Sequence, residues 1–446
     1  MSPSHDDSRS VRRRRLRDGD VNTEASIAAP APDPFPATPA SIEDSGLDFG
    51  FLADLALKTV YADTSCTTQR AAERLGLPIA IIDLLLQHLY RERLIEIRET
   101  IAAQNRRYAM LDRGWERVRR LLDLNAYIGP APVSLDAYTA MVQRQEELRP
   151  PVTPEAIRTA CADLVLSDTT LQVLGVAANS RRSLFITGAP GNGKTSIARA
   201  LHLALGGEIW IPRAIEVDGH IISVFDSHNH TPVDPPTASY DQRWIKVRRP
   251  LVVVGGELTI ESMDLNYDPT VRFYEAPFQV KSNGGTLLID DFGRQRVQPR
   301  DLFNRWIIPL ENRVDYLTLH TGKKIQVPFE QLLIFASNLD STDFAEEAFL
   351  RRLGYRLAAE SPSSQTYGRI LQRYVEACRL PYDPRLLDAL LALYTNEQRD
   401  MRSCQPRDLI DRCADICRYE NRPFNLTVEL LERAWRYYFG TRQTHP

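Results

Sequence analysis

No stretch of this 446-residue chain approaches the ~20 consecutive apolar residues of a membrane-spanning helix, and its first residues lack the apolar core of a secretion signal. The expectation is no membrane insertion and a cytoplasmic location. Cysteine is scarce, with six in all: Cys66, Cys161, Cys378, Cys404, Cys413 and Cys417. None forms the paired short spacings of a zinc site. Cys413 and Cys417 can share a helix face, but two thiols do not complete a metal site. Reduced, mostly buried thiols are expected. Net charge is also scarce. The 55 Lys and Arg against 58 Asp and Glu leave −3, so any nucleic-acid contact has to be a local patch. There is no biased repeat. With 43% apolar and 25% charged residues the chain can build real cores, and its length suggests about three domains.

What is present is a phosphate-binding loop. Gly188-Ala189-Pro190-Gly191-Asn192-Gly193-Lys194-Thr195 follows the apolar run Ser183–Thr187 and opens a helix-forming stretch that starts with Ser196. The strand, glycine loop and helix are the context the motif needs. The glycines let backbone N–H groups turn around a triphosphate, and the helix N-terminus adds its positive dipole end. Lys194 is expected to reach the β- and γ-phosphates and the Thr195 hydroxyl to ligate Mg²⁺. A nucleoside triphosphate and Mg²⁺ are therefore the expected ligands.

Around this loop the chain divides into five parts. Residues 1–45 mix charge with Pro, Ala and Ser, including a basic knot at Arg12–Arg15 and Arg17, and read as a disordered tail. Residues 46–128 have helical periodicity followed by two β-prone runs. Phe51, Leu52, Leu55, Ala56 and Thr59 share one face, as do Ile81, Leu84, Leu85, Leu86 and Leu89. A glycine stop at Gly76, the runs Leu94–Ile97 and Arg107–Met110, and a closing helix to Leu124 resemble a winged helix-turn-helix. The helix that would read DNA carries Asp83, Gln87 and His88 and few basic groups, so a protein-binding role is favoured over DNA binding through residues 48–124. Residues 129–155, bracketed by Gly129-Pro130 and Pro150-Pro151, read as a semi-rigid linker. Residues 156–360 alternate strands and helices as an α/β core with a parallel sheet, and 361–446 as a helical lid. In that lid Tyr367, Ile370, Leu371, Tyr374 and Val375 mark one amphipathic helix.

Two further strands carry chemistry. Gly285–Phe292 delivers Asp290 and Asp291 to the C-terminal end of a buried strand, where α/β sites lie. Asp290 would hold Mg²⁺, and Asp291 would polarise the attacking water as general base. The strand Leu332–Ala336 ends in Ser337-Asn338, which puts an amide where it can orient the nucleophile. The segment 208–224 predicts a strand-rich insertion. Asp226, His228 and His230 behind it invite a metal reading, but a polar loop without further ligands argues instead for a decoration of the subunit face or client entrance.

The nucleotide loop, paired acids, Asn-ended strand and lid resemble, in this order, the AAA+ ATPases over about residues 150–440. That resemblance implies that Asn338 is sensor 1. Arg352, with Arg351 beside it, sits where the family's arginine finger reaches the neighbouring subunit's γ-phosphate. Arg407, in Gln405-Pro406-Arg407, resembles sensor 2. The family's usual second acid is Glu, and here it is Asp291. The hairpin-like pattern Val314–Leu319 and Ile325–Pro328 resembles the pre-sensor-1 hairpin of the branch that includes MoxR-type chaperones, and makes Lys323 and Lys324 candidates for client contact. The implied function is a homo-oligomeric motor that hydrolyses ATP: a ring of six subunits remodelling a protein client. A DNA-directed ATPase or regulator, and a nucleotide-gated adaptor with little turnover, are the rivals.

Overall fold

The computed structural model describes residues 35–234, 239–338 and 351–440. The basic knot and most of the expected tail lie outside them. Residues 35–45, counted in that tail, are packed: Phe35 sits edge-on to Trp210 and Tyr240, and Asp241 N–H donates to the Pro36 carbonyl at 2.9 Å. Here aromatic contact outweighs a composition that reads as disordered.

The first unit contains α1 (Phe49–Ala62), α2 (Thr68–Leu75), α3 (Ile79–Arg91), the antiparallel pair β1 (Ile95–Ala102) and β2 (Asn105–Met110), and α4 (Asp112–Leu124). Local chemistry sets the boundaries. The Asp48 carboxylate caps α1 through Phe51 N–H, the Thr67 hydroxyl caps α2 through Arg70 N–H, and Gly76 closes α2 at φ 66. Leu52, Leu55, Ala56, Ile81, Ile82, Leu85, Leu86 and Leu89 form its core, each buried leucine contributing roughly 1.5–3 kcal/mol. Leu84 points out instead, 55% exposed, because helical spacing turns it off the face shared by Ile81 and Leu85.

The segment read as a linker is part of a packed layer. It holds β3 (Val133–Ser134) and α5 (Leu135–Glu147), whose Tyr138 and Val142 are buried. The Tyr138 hydroxyl accepts from Asn283 Nδ2 at 2.7 Å. Prolines bracket the helix without freeing it.

The α/β region continues with α6 (Pro154–Ala160), α7 (Asp168–Ser180), β4 (Leu184–Thr187) and α8 (Lys194–Leu205). It then runs through β5 (Glu208–Pro212), β6 (Ala214–Val217), β7 (His220–Ser223), β8 (Trp244–Arg248), β9 (Leu251–Val254), β10 (Asn266–Asp268) and β11 (Phe273–Glu275). Next come α9 (Phe278–Lys281), β12 (Thr286–Phe292), α10 (Pro299–Asn312), β13 (Val314–Thr318), β14 (Lys324–Pro328), β15 (Leu332–Ser337) and β16 (Tyr355–Ala358). The central sheet has the order β16-β4-β15-β12-β9, with every pair parallel. Its strands are near-continuous apolar runs because helices and packed segments cover both faces. The expected α/β core, a parallel sheet with the glycine loop leaving β4, and the expected C-terminal helical lid are present.

The insertion is strand-rich, as expected. β6 and β7 join β3, β11 and β10 in a second sheet, and β5 pairs with β8. The hairpin β13–β14 packs its Leu317, Ile325 and Val327 against that second sheet and α5. Polar bonds tie the segments flanking the first unit to it and to the insertion. Buried Arg243 grips Asp241 and donates Nη1 to the carbonyls of Ser45 at 2.8 Å and Pro132 at 3.3 Å, and Ala131 N–H donates to Leu75 O at 2.8 Å.

The lid helices are Ser364–Ala377, Pro384–Asn396, Gln405–Tyr419 and Val428–Phe439. They close on Tyr367, Leu371, Leu390 and Trp435, with Tyr394 donating to Gln405 Oε1 at 2.7 Å. Among the described residues no helix is long and apolar enough to cross a membrane, and all six cysteines are free.

Candidate active site

The glycine loop leaves the C-terminal end of β4 and enters α8 at Lys194. Gly188, Gly191 and Gly193 have φ of 143°, 84° and 82°, values that side-chain-bearing residues rarely adopt. At Gly188 the backbone is also crowded: a Cβ there would lie 2.3 Å from the Ala359 carbonyl oxygen. Asn192 holds the loop to the strand edge by donating Nδ2 to that same oxygen at 3.1 Å.

Three strand ends then meet over the loop. The Lys194 ammonium donates to Gly188 O at 2.9 Å, Ala189 O at 3.1 Å and Asn338 Oδ1 at 2.7 Å. The Thr195 hydroxyl donates to the Asp290 carboxylate at 2.9 and 3.1 Å. Asn338 Nδ2 donates to Asp291 Oδ1 at 3.0 Å, so one amide links the lysine to the second acid. Burial pulls the Lys194 ammonium below its ordinary range, while the carboxylates of Asp291 and Asp290 oppose that shift.

An aspartate at 291 suits the backbone there. Asp291 has φ 48, and the pairing of β12 with β15 shifts register between Ile289 and Phe292. Such a bulge re-aims side chains at strand ends. Aspartate tolerates left-handed backbone better than longer side chains because its short polar group bonds locally.

A cleft of about 900 Å³ runs from this network to the lid, lined by Pro190–Ile197, both acids and Asn338. Ser196 and Arg407 line it as well, and Arg407 is paired with Asp408 at 3.1 Å. Arg351 and Arg352 lie away from it: Arg351 is exposed, and Arg352 forms an ion pair with Glu311 of α10.

Sequence reading missed several lining groups. Arg294, three residues beyond Asp291, lines the cleft beside both acids. Arg373 of the lid donates Nη1 to Ala162 O at 2.8 Å and Leu164 O at 3.0 Å, and so clamps the core segment forming the cleft's far wall. Cys404 N–H donates to Gly191 O at 2.9 Å, joining lid to loop through backbone. Arg294 was within reach of a spacing argument. The other two depend on how the lid folds back, which no local pattern reveals.

The loop Asp226–His230 is a structural fastening. His230 Nδ1 accepts from Asp226 N–H at 3.0 Å, and Nε2 faces Lys281 O at 2.8 Å, so both ring nitrogens are occupied. Burial would raise the Asp226 carboxyl. The Lys281 ammonium at 2.9 Å, with His228 N–H and Asn229, outweighs it and holds the group at about 2. Among the described residues there is no cluster able to hold a metal ion through His, Cys, Asp or Glu alone. The Thr195–Asp290 pair is a different kind of set, with hard oxygens that suit Mg²⁺.

A family model described as a domain of unknown function, DUF8689, matches residues 363–437, the lid. No curated protein matches the chain. Among solved structures, the chain is similar to the Thermotoga maritima RuvB Holliday junction branch migration motor at 11% identity and TM-score 0.34, covering 65% of this chain and 72% of that one. It is also similar to NtrX from Brucella abortus in complex with ATP, at 14% identity and TM-score 0.37, covering 80% and 78%. At such TM-scores these likenesses decide nothing about chemistry, which rests on the site's own geometry.

Proposed function

We propose that this chain is an ATP hydrolase of AAA+ type that works as a ring, six subunits by the family's habit, and remodels a protein client. The observation that carries the reading is the continuous set Lys194–Asn338–Asp291 beside Thr195–Asp290, all at the mouth of the glycine loop. In this reading the loop N–H groups and Lys194 bind the β- and γ-phosphates. Asp291, held by Asn338, accepts a proton from the water that attacks the γ-phosphorus. Thr195 and Asp290 would hold Mg²⁺, which supplies charge neutralisation on the phosphates.

Arg407 reaches the nucleotide from the same chain. Arg352 or Arg351 serves the neighbour, a role supported by their position outside their own cleft. The β13–β14 hairpin supports placement in the MoxR-containing branch. Lys324 at its tip is exposed and Lys323 pairs with Asp218 of the insertion, so client contact there falls first to Lys324.

The winged-helix-like unit is read as the client-recruiting module. Several of its arginines are occupied by carboxylates: Arg70 and Arg74 face Asp63 at 3.1 and 3.5 Å, Arg107 faces Glu99 at 2.8 Å, and Arg117 faces Asp54 at 3.0 Å. Phosphate contact requires free cations, so this pairing favours protein over DNA.

The test is a nuclease-treated pull-down with Asp291→Asn, with and without ATP, read by mass spectrometry. A protein retained only with ATP is the expected result. Loss of every partner after nuclease, with DNA recovered from the untreated sample, would replace the client reading with a DNA-directed motor.

A further inference from the structure

At the end of the central sheet opposite the nucleotide, where β12 and β15 begin, lies a second charged cavity. Its walls bring together the end of α5 (Glu146, Arg149), the end of α7 (Arg181), the end of α10 (Arg313) and the turn before β15 (Glu330, Gln331). It has room for a single particle the size of a water molecule.

The charges there do not balance. Glu146 is shared by two guanidiniums, with Arg149 Nε and Arg181 Nε each 3.1 Å from the same Oε1. Arg313 has no hydrogen-bond or ion-pair partner for its guanidinium among the described residues. Glu330 and Glu146 attract it, while Arg181 and Arg149 repel it. Three cations therefore face two carboxylates. Burial also pushes the Glu330 carboxyl upward, which weakens it as a counter-charge. Independently, Gln331 is 3% exposed and neither its amide nitrogen nor its oxygen has a partner. A buried amide without bonds is costly and rare.

We propose that this cavity binds one small monovalent anion of chloride size, held by Arg313 and the Gln331 amide N–H with Arg149 and Arg181 behind. A water molecule would serve the amide but leave the part-buried Arg313 guanidinium without a counter-ion, and a charge drawn out of water unpaired is the more expensive defect. A polyatomic oxyanion is too large for the space. The site ties α5, α7 and α10 to the base of the sheet, so its occupancy adds to stability without touching the nucleotide network.

Two measurements on the full chain test this. Crystals grown with bromide in place of chloride should give an anomalous peak within hydrogen-bond distance of Arg313 and Gln331. Thermal unfolding at fixed ionic strength, exchanging gluconate for chloride, should raise Tm by a few °C over a hundredfold in chloride, as mass action requires. Arg313→Gln and Gln331→Leu should each flatten that dependence. A water without anomalous signal at the cavity overturns the proposal. So does a chloride response that persists undiminished in both variants. If either variant fails to fold, the bromide experiment on the unaltered chain still decides.

Discussion

Asp291 is where residue-scale chemistry and backbone meet. Its left-handed φ and its bond to Asn338 place a short carboxylate at the mouth of the glycine loop. Replacing it with Asn should leave nucleotide affinity intact and cut turnover by about 10²–10⁴, the usual weight of a general base. Normal turnover by that variant would mean another group takes the proton. Lys194→Ala should instead abolish binding, checked by calorimetry with ATP, because the ammonium is the fixed charge in the loop. The glycine loop, both acids and Asn338 were legible because each motif is contiguous and ends an apolar strand. Arg373 and Cys404 were not, since they reach the cleft only through tertiary packing of the lid.

At the scale of elements, α8 shows how the core edge tolerates a half-buried imidazole. His202 Nδ1 meets Thr286 Oγ1 at 3.0 Å. Burial, helped by Arg249 and Arg199, lowers its pKa from 6.5 to about 4. Between those values the unfolded chain binds more protons than the folded one. Stability is therefore fully present above about pH 6.5 and falls as pH drops through about 4, by up to roughly 3 kcal/mol. Urea unfolding across that range should show the slope, and His202→Gln should flatten it. The opposite end of the scale holds a buried lysine. Lys58, lowered by burial to about 8, donates to Asn125 O at 2.7 Å and Asn125 Oδ1 at 2.6 Å. Its unfavourable ionisation is relieved as pH rises from about 8 to 10.5, so the first unit should gain stability there.

Element existence was largely readable: the hairpin β13–β14, the insertion strands and the lid helices follow apolar periodicity. The role of residues 129–155 was not. Polar composition and flanking prolines describe a linker, while Tyr138 and Val142, four apart, supply the buried face that makes α5 part of the core. The tail's last residues misled similarly, because one aromatic, Phe35, is enough to anchor them on Trp210.

For the whole molecule the proposed ring makes activity a property of contacts between copies. ATPase rate per chain should rise steeply with protein concentration, followed alongside sedimentation. Mixing Arg352→Ala with Lys194→Ala should restore part of the turnover that each lacks alone, because some interfaces then pair an intact loop with an intact finger. Full turnover by a monomer would sink the assembly. A second expectation concerns nucleic acid: with Arg70, Arg74, Arg107 and Arg117 of the first unit already paired, DNA retention should be weak at physiological salt.

The backbone bond from Cys404 to Gly191 and the clamp from Arg373 to the 162–164 segment have a thermodynamic consequence. Nucleotide affinity and lid docking are two readings of one coupled equilibrium, and coupling is reciprocal. Loosening the lid far from the cleft, for instance by Trp435→Ala in its core, should weaken ATP binding although that ring touches no part of the loop. Conversely, ATP should slow amide hydrogen exchange at Leu430 and Leu431, making the far face of the lid a reporter of what occupies the cleft.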